Sequence, residues 1–237
     1  MRETVRLMSA ADGFAFDAYH AGVSDARRGG LVMLHAIWGV TPHLRGLADD
    51  YAELGYETLV PSLFDRFQRG FAARDTDPEL AGRQMGFGEA AHWGADVLDA
   101  VQAAIDALAP PVFALGFCFG GTTAWLAAAR CTGLSAVASY YGGQIIDHLD
   151  ETPRIPTILH LGKADELIPP ADVETIRAAH PDLPVFIRGR PRLRGAQRLR
   201  CRGREVVAPA HVGPLHPQER RSRRELRQGP ISAGVKG

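Results

Sequence analysis

The chain has 237 residues, 46% of them hydrophobic, which suits one soluble globular domain with a full core. No signal-peptide pattern follows the N-terminus and no run of about 18 uncharged apolar residues indicates a membrane span, so we predict a cytoplasmic protein without a membrane partner. Its three cysteines form neither a CxxC pair nor an even set, which fits a reducing compartment and excludes a structural zinc site built from thiolates.

Strands alternate with amphipathic helices over the first 187 residues, which predicts a mostly parallel sheet with helices on both faces. The predicted strands cover 14–19 (a half-exposed edge hairpin strand), 31–34, 58–61, 112–115, 134–141, 157–161 and 185–187. The predicted helices cover 42–54, 89–108, 122–129 and 169–180, with Gly55 ending the first and Pro110-Pro111 stopping the second. Residues 62–87 have weak periodicity and indicate a loop or short helices over the sheet edge.

The net charge of zero hides an uneven distribution. Residues 188–237 contain thirteen Arg and one Lys against three Glu, and no aromatic residue follows Phe186. This tail has too little apolar surface to offset the entropy of ordering it. We therefore expect a folded α/β domain over residues 1–187 and a disordered basic tail over residues 188–237.

A lone thiol stands among glycines where the predicted strand 112–115 meets the next helix. Gly116-Phe117-Cys118-Phe119-Gly120 has the spacing of a nucleophile elbow, with Cys in the place that usually holds Ser. The turn brings strand and helix so close that very small residues are needed two positions either side of the nucleophile. A helix N-terminus directed at the sulfur favours the thiolate and predicts a lowered thiol pKa.

A cysteine next to several glycines has two other interpretations. A lone cysteine is most often a small buried hydrophobe, but glycines at both required offsets after an apolar strand favour the nucleophile. A dinucleotide-binding turn fails because Gly116, Gly120 and Gly121 do not form G-x-G-x-x-G.

Three motifs follow one another along the chain: His35-Ala36-Ile37-Trp38-Gly39-Val40-Thr41-Pro42-His43-Leu44-Arg45, Gly116-Phe117-Cys118-Phe119-Gly120-Gly121 and Gly162-Lys163-Ala164-Asp165-Glu166-Leu167-Ile168-Pro169. In this order they resemble the motifs of the dienelactone hydrolase family. The similarity extends from about residue 31 to residue 187. It implies an α/β-hydrolase fold and an enzyme without cofactor or metal that opens lactones or small carboxylic esters through a Cys, Asp and His triad.

The resemblance places the triad acid at Asp165, after the strand 157–161. The alternative role is a cap or dipole partner for the next helix, which Asp172 or Glu166 is also placed to fill. An acyl-transfer site further needs two backbone donors for the oxyanion. One is expected at Phe119, directly after the nucleophile, and the family match indicates Ile37 for the other.

Trp38 and Tyr141 are expected to line the substrate pocket, although large aromatic residues near a sheet end are often core residues. In the type enzyme of the family, a Glu follows the position matched by His35 and helps to activate the thiol. Ala36 stands there in this chain, which argues for a relative with altered specificity. Arg83 is a candidate partner for a substrate carboxylate, with a solvated surface arginine as the alternative.

The triad histidine is missing from its expected place. By resemblance it follows the last strand in a Gly-His-Gly-Phe segment, but residues 188–195 contain no histidine, and His211 and His216 lie in a segment without helix or strand pattern. Residues 190–194, Arg-Pro-Arg-Leu-Arg, have codons CGN CCN CGN CTN CGN. Read one base later these give GNC CNC GNC TNC, which with suitable bases encodes Gly-His-Gly-Phe. We therefore hypothesise that the reading frame slips near Arg188.

An arginine-rich tail also suggests a binder of nucleic acid or of another acidic partner. The tail lacks interleaved aromatic residues and a helical basic face, which argues against nucleic acid. The sequence thus favours a hydrolase with a small ester or lactone substrate, impaired by the loss of its histidine. An inactive hydrolase scaffold or a basic-tailed binding protein is the alternative, and the oligomeric state is not predicted.

Overall fold

The computed structural model describes residues 1–24, 26–73, 86–88, 90–94, 96–163, 165–188, 197–201 and 204–208. The strands are β1 (Arg2–Met8), β2 (Ala15–Ala21), β3 (Gly29–Leu34), β4 (Tyr56–Pro61), β5 (Val112–Phe117), β6 (Leu134–Tyr140), β7 (Thr157–Gly162), β8 (Val185–Arg188), β9 (Gln197–Cys201) and β10 (Arg204–Ala208). The helices are α1 (Pro42–Glu53), α2 (Leu98–Asp106), α3 (Phe119–Arg130) and α4 (Pro170–Ala179), with a 3₁₀ helix over Gly143–His148.

Eight strands form one sheet in the order β1-β2-β4-β3-β5-β6-β7-β8. The strands from β4 to β8 in this order run parallel, whereas β2 is antiparallel to both of its neighbours. The predicted mostly parallel sheet is therefore confirmed. Because the carboxyl ends of parallel strands share one edge, the segments after β3, β5, β6 and β7 meet there.

Both faces of the central strands are covered, as their continuous apolar sequences predict. All six residues of β3 are buried. Leu31 and Met33 lie in a core cluster with Leu44, Leu47 and Tyr51 of α1. On the opposite face, the alternate residues Val32 and Leu34 lie in a second cluster with the buried sides of α2 and α3. No helix among the described residues is long and apolar enough to cross a membrane.

The edge of the sheet differs from the prediction. The strand predicted over 14–19 is β2, and it is the second strand because β1 pairs with its outer side from Arg2↔Ala21 to Met8↔Ala15. Within β1 only Leu7 is buried and Val5 half-buried, so an edge strand with little apolar content gave no recognisable pattern.

The helix predicted over 89–108 is shorter than its apolar periodicity indicates. It begins at Leu98. Among the described residues before it, 86–88 and 90 are helical, whereas 91–94, 96 and 97 form loop and turns, and the His92 N–H donates to Asp96 Oδ2 at 3.0 Å. Gly94 is a poor helix former, and an Asp side chain that binds backbone N–H groups competes with helical pairing. The remaining predicted helices are confirmed, and Gly55 after α1 has the expected left-handed φ of +91°.

Two short strands lie within the basic tail. β9 and β10 pair antiparallel with each other in a separate two-stranded sheet, from Arg204↔Cys201 to Ala208↔Gln197. Their pairing departs from the patternless tail that we expected. The other tail residues after Arg188 lie outside the described residues, so a disordered tail stays a prediction for them.

Candidate active site

Cys118 occupies a strained turn between β5 and α3. Its backbone has φ 55° and ψ −117°, a conformation that costs a non-glycine residue roughly 1–3 kcal/mol. The surrounding hydrogen bonds enforce it: the Cys118 N–H donates to Tyr140 O at 2.9 Å, and Cys118 O accepts from the N–H groups of Gly121 (2.8 Å) and Thr122 (3.1 Å). The residue therefore has the backbone of a nucleophile elbow.

The two flanking glycines are required by close backbone contacts. A Cβ on Gly116 would lie 1.8 Å from Gly120 O. A Cβ on Gly120 would lie 2.3 Å from Leu34 O and 2.6 Å from His35 O. The start of α3 thus packs directly on the end of β3, which brings the Phe119 amide next to the segment that carries Ile37.

Gly120→Ala is expected to lower the free energy of unfolding by about 3 kcal/mol or more, because two carbonyl oxygens would have to move. Gly46→Ala is the matched control, since Gly46 is exposed in α1 and a Cβ there has no neighbour within 4 Å. That change should stabilise the protein by about 1 kcal/mol. Urea denaturation measures both, and an equal effect of the two substitutions would contradict the close packing.

The thiol of Cys118 has a raised pKa, not the lowered one that we predicted. Burial raises the pKa most, the Phe119 N–H lowers it, and the negative charge of Asp165 raises it again. The helix N-terminus therefore contributes as expected, but desolvation of the thiolate outweighs it. At neutral pH the raised pKa keeps the sulfur protonated.

Alkylation of Cys118 by iodoacetamide should rise with pH through a midpoint above that of a free cysteine, because only the thiolate reacts. Asp165→Asn should move the midpoint down by removing a negative charge. Cys131→Ala combined with Cys201→Ala supplies a background in which Cys118 is the one remaining cysteine of the sequence. A midpoint below that of free cysteine would contradict the burial that we describe.

Asp165 lies in the loop after β7, at the same edge of the sheet as Cys118. Burial, followed by the negative charges of Cys118 and Asp165, raises the pKa of the Tyr141 hydroxyl to about 12. Asp165 Oδ1 accepts from the Leu167 N–H at 3.0 Å, which fixes the carboxylate within its own turn. It does not cap α4, whose N-cap position is Pro169.

The two candidate oxyanion residues share a neighbour. A Cβ on Gly88 would lie 3.5 Å from Ile37 Cγ2 and 3.8 Å from Phe119 Cδ2. Trp38 is half-buried and packs against the core, in line with the core alternative, while its carbonyl accepts from the Ala73 N–H at 3.0 Å. Tyr141 is 41% exposed, and its backbone φ of 41° marks a second strained position after β6.

His35 adjoins the candidate site, but the sequence indicated no role for it beyond being the first residue of a motif. It is fully buried at the end of β3. Its Nε2 accepts from the Leu63 N–H at 2.9 Å and its Nδ1 lies 2.7 Å from Ala36 O, so the proton is on Nδ1. Burial lowers the pKa of His35 to about 4, against the opposing effects of the Ala36 carbonyl and Asp65. The sequence did contain one indication of a special role for His35, which is that a histidine directly follows a buried apolar strand.

The lowered pKa of His35 predicts an acid-sensitive fold. Between the ordinary value of 6.5 and about 4 the unfolded chain binds a proton that the folded chain does not, so stability falls as pH decreases through this window. The loss amounts to about 3 kcal/mol. His35→Gln should remove this part of the pH dependence of urea unfolding, whereas the exposed His43→Gln should retain it. Parallel curves for His35→Gln and the parent would contradict the assignment.

The hydrogen bonds described for His20, His35 and His180 go to groups other than Cys118 and Asp165. The two late histidines, His211 and His216, and the candidate Arg83 lie outside the described residues. The described structure thus places Cys118, Asp165 and the segment that carries Ile37 at the same edge of the sheet.

Comparison with known proteins identifies the family and several relatives of this chain. The model of the Dienelactone hydrolase family matches residues 16–185. Carboxymethylenebutenolidase of Pseudomonas putida is 28% identical over 165 residues, covering 67% of this chain and 70% of that protein. The chain spans about two thirds of the length of the curated relatives it matches, for example 66% of one from Synechocystis sp. and 67% of one from Escherichia coli (strain K12).

Solved structures share the fold. A dienelactone hydrolase-like promiscuous phosphotriesterase from metagenomic libraries has a TM-score of 0.61 at 22% identity, covering 80% of this chain and 82% of that one. Dienelactone hydrolase from Anabaena variabilis has a TM-score of 0.55 at 17% identity, covering 80% and 87%.

Proposed function

Because this chain belongs to the dienelactone hydrolase family, we propose that it is a carboxylic ester or lactone hydrolase with a Cys118 nucleophile, impaired by the loss of its general base. The observation that carries the proposal is the backbone of Cys118, held at φ 55° between glycines that admit no side chain. Strain of this kind persists where the surrounding structure enforces it, and it is concentrated at reactive positions.

The proposed reaction begins with attack of the Cys118 thiolate on the ester carbonyl. An Sγ–C bond forms, the carbonyl oxygen becomes an oxyanion held by the amides of Phe119 and Ile37, and the C–O bond to the alcohol breaks. Water then cleaves the thioester and releases the acid. Asp165 orients the histidine that moves the protons in an intact triad, while Trp38 and Tyr141 line the pocket.

The missing base affects the two steps differently. An aryl ester with a good leaving group needs no protonation, so a thiolate generated by alkaline pH can be acylated without a histidine. Hydrolysis of the thioester needs an activated water, which the base provides. The present chain therefore accumulates the acyl-enzyme, because acylation of Cys118 is faster than hydrolysis of the thioester.

The frame slip that we hypothesise accounts for the lost base and for an uncovered strand together. Phe186 and Ile187 of β8 point to opposite sheet faces, yet they are 39% and 41% exposed. Parallel strands in such sheets are ordinarily covered on both faces. A change of frame after β8 removes the histidine and the covering segment in one event.

p-Nitrophenyl acetate tests the proposal in mildly alkaline buffer. We expect a burst of one nitrophenolate per chain, followed by turnover that is slow compared with the burst. Cys131→Ala should retain the burst, and prior alkylation of Cys118 should abolish it. A chain that gives no burst is an inactive scaffold, the competing interpretation, and the proposal would then be wrong.

A further inference from the structure

The peptide group that links Ala36 to Ile37 is held through its carbonyl oxygen. Ala36 O accepts from the Gly39 N–H at 3.1 Å in a tight turn and from Nδ1 of His35 at 2.7 Å. This peptide is trans, so its N–H points away from its carbonyl. Two donors on the carbonyl therefore set the direction of the Ile37 N–H, which has no acceptor among the described residues.

The ring of His35 is itself rigidly held. The Leu63 N–H can only donate, which makes Nε2 the acceptor and leaves the Nδ1 proton for Ala36 O. The ring is fully buried and packs edge-on against Phe64, with 5.0 Å between ring centroids. Asp65 is the charged group that acts on it, and its carboxylate is held by the Ser62 hydroxyl at 2.6 Å and the Gly70 N–H at 2.9 Å.

The same residue contacts the elbow through its main chain, since His35 O is one of the two oxygens that exclude a side chain at Gly120. We propose that His35 is a positioning residue, which aims the Ile37 N–H at the oxyanion formed during acylation of Cys118. The inference rests on the proposed function. It assigns to a buried histidine the geometry of one oxyanion donor, and no proton transfer to substrate.

Two reactions of the Cys118 sulfur distinguish a misdirected Ile37 N–H from a loss of folded protein. Acylation by p-nitrophenyl acetate passes through an oxyanion, whereas alkylation by iodoacetamide forms no oxyanion at a carbonyl. Both require the thiolate, so the ratio of their second-order rate constants removes effects of thiol pKa and of the folded fraction. This ratio is measured on the full chain and on two variants.

Each of the two variants can keep one of the two side-chain hydrogen bonds of His35. Asn places an amide N–H near the position of Nδ1 and can keep the bond to Ala36 O. Gln reaches the position of Nε2 and can keep only the bond from the Leu63 N–H. We expect His35→Gln to lower the acylation-to-alkylation ratio by about 100-fold, the cost of a donor misplaced by about 1 Å, and His35→Asn to stay within about threefold of the parent.

An unchanged ratio in His35→Gln would overturn the inference, as would an equal fall in both variants. If His35→Gln does not fold, His35→Asn decides alone, because a fall of tenfold or more despite the retained bond would contradict the role. A parent chain that is alkylated but never acylated would instead overturn the proposed function, so the two failures are distinguishable.

Discussion

Removing one base before codon 190 is expected to raise ester hydrolysis by about 10³-fold or more, because it returns a histidine to the end of β8. In that frame residues 190–193 become Gly-His-Gly-Phe when the bases allow it. The restored base takes the proton of the Cys118 thiol, whose raised pKa otherwise keeps it protonated, and then activates water for deacylation. Steady-state hydrolysis of an aryl ester and of an alkyl ester by both proteins measures the gain.

The alkyl ester should show the larger gain, since its leaving group requires protonation and the aryl leaving group does not. A frame-restored protein whose new histidine is changed to Gln is the matched control, and it should return to the rate of the present chain. Equal hydrolysis by the present and the frame-restored proteins would show that the tail is not the defect. A gene without histidine codons in either alternative frame would exclude the slip itself.

Cys118→Ala in the frame-restored protein should reduce hydrolysis by roughly 10⁴-fold or more, which leaves only catalysis by the oxyanion donors and by substrate binding. Alanine is the smallest change that keeps a Cβ in the strained turn, so the fold should be preserved. Cys131→Ala is the control, because this half-buried thiol follows α3 at its far end from the elbow. Retained activity in Cys118→Ala would remove the nucleophile from the mechanism.

Features that depend on local backbone chemistry were predictable from the sequence. The glycines at 116 and 120 are needed at any turn of this kind, and their predicted contacts are present. Continuous apolar strands such as β3 and β5 predicted a doubly covered sheet, and the predicted α/β-hydrolase fold is confirmed. The roles of Asp165, Ile37, Phe119, Trp38 and Tyr141 remain proposals.

Features that depend on tertiary environment were missed or wrong. The thiol pKa was predicted from the adjacent helix alone, but burial among residues distant in sequence dominates it. The tautomer of His35 depends on a hydrogen bond from Leu63, 28 residues further along the chain, and no periodicity connects the two. The edge strand β1 was missed because a strand with one buried residue carries almost no apolar signal.

Peptide mapping by mass spectrometry after brief reaction with p-nitrophenyl acetate tests the nucleophile most directly. The account predicts one acetyl group on Cys118, attached as a thioester that hydroxylamine removes, while Cys131 stays unmodified. The account would be contradicted if Cys118 reacted with iodoacetamide but not with p-nitrophenyl acetate. The thiolate would then be accessible and yet unable to attack an ester.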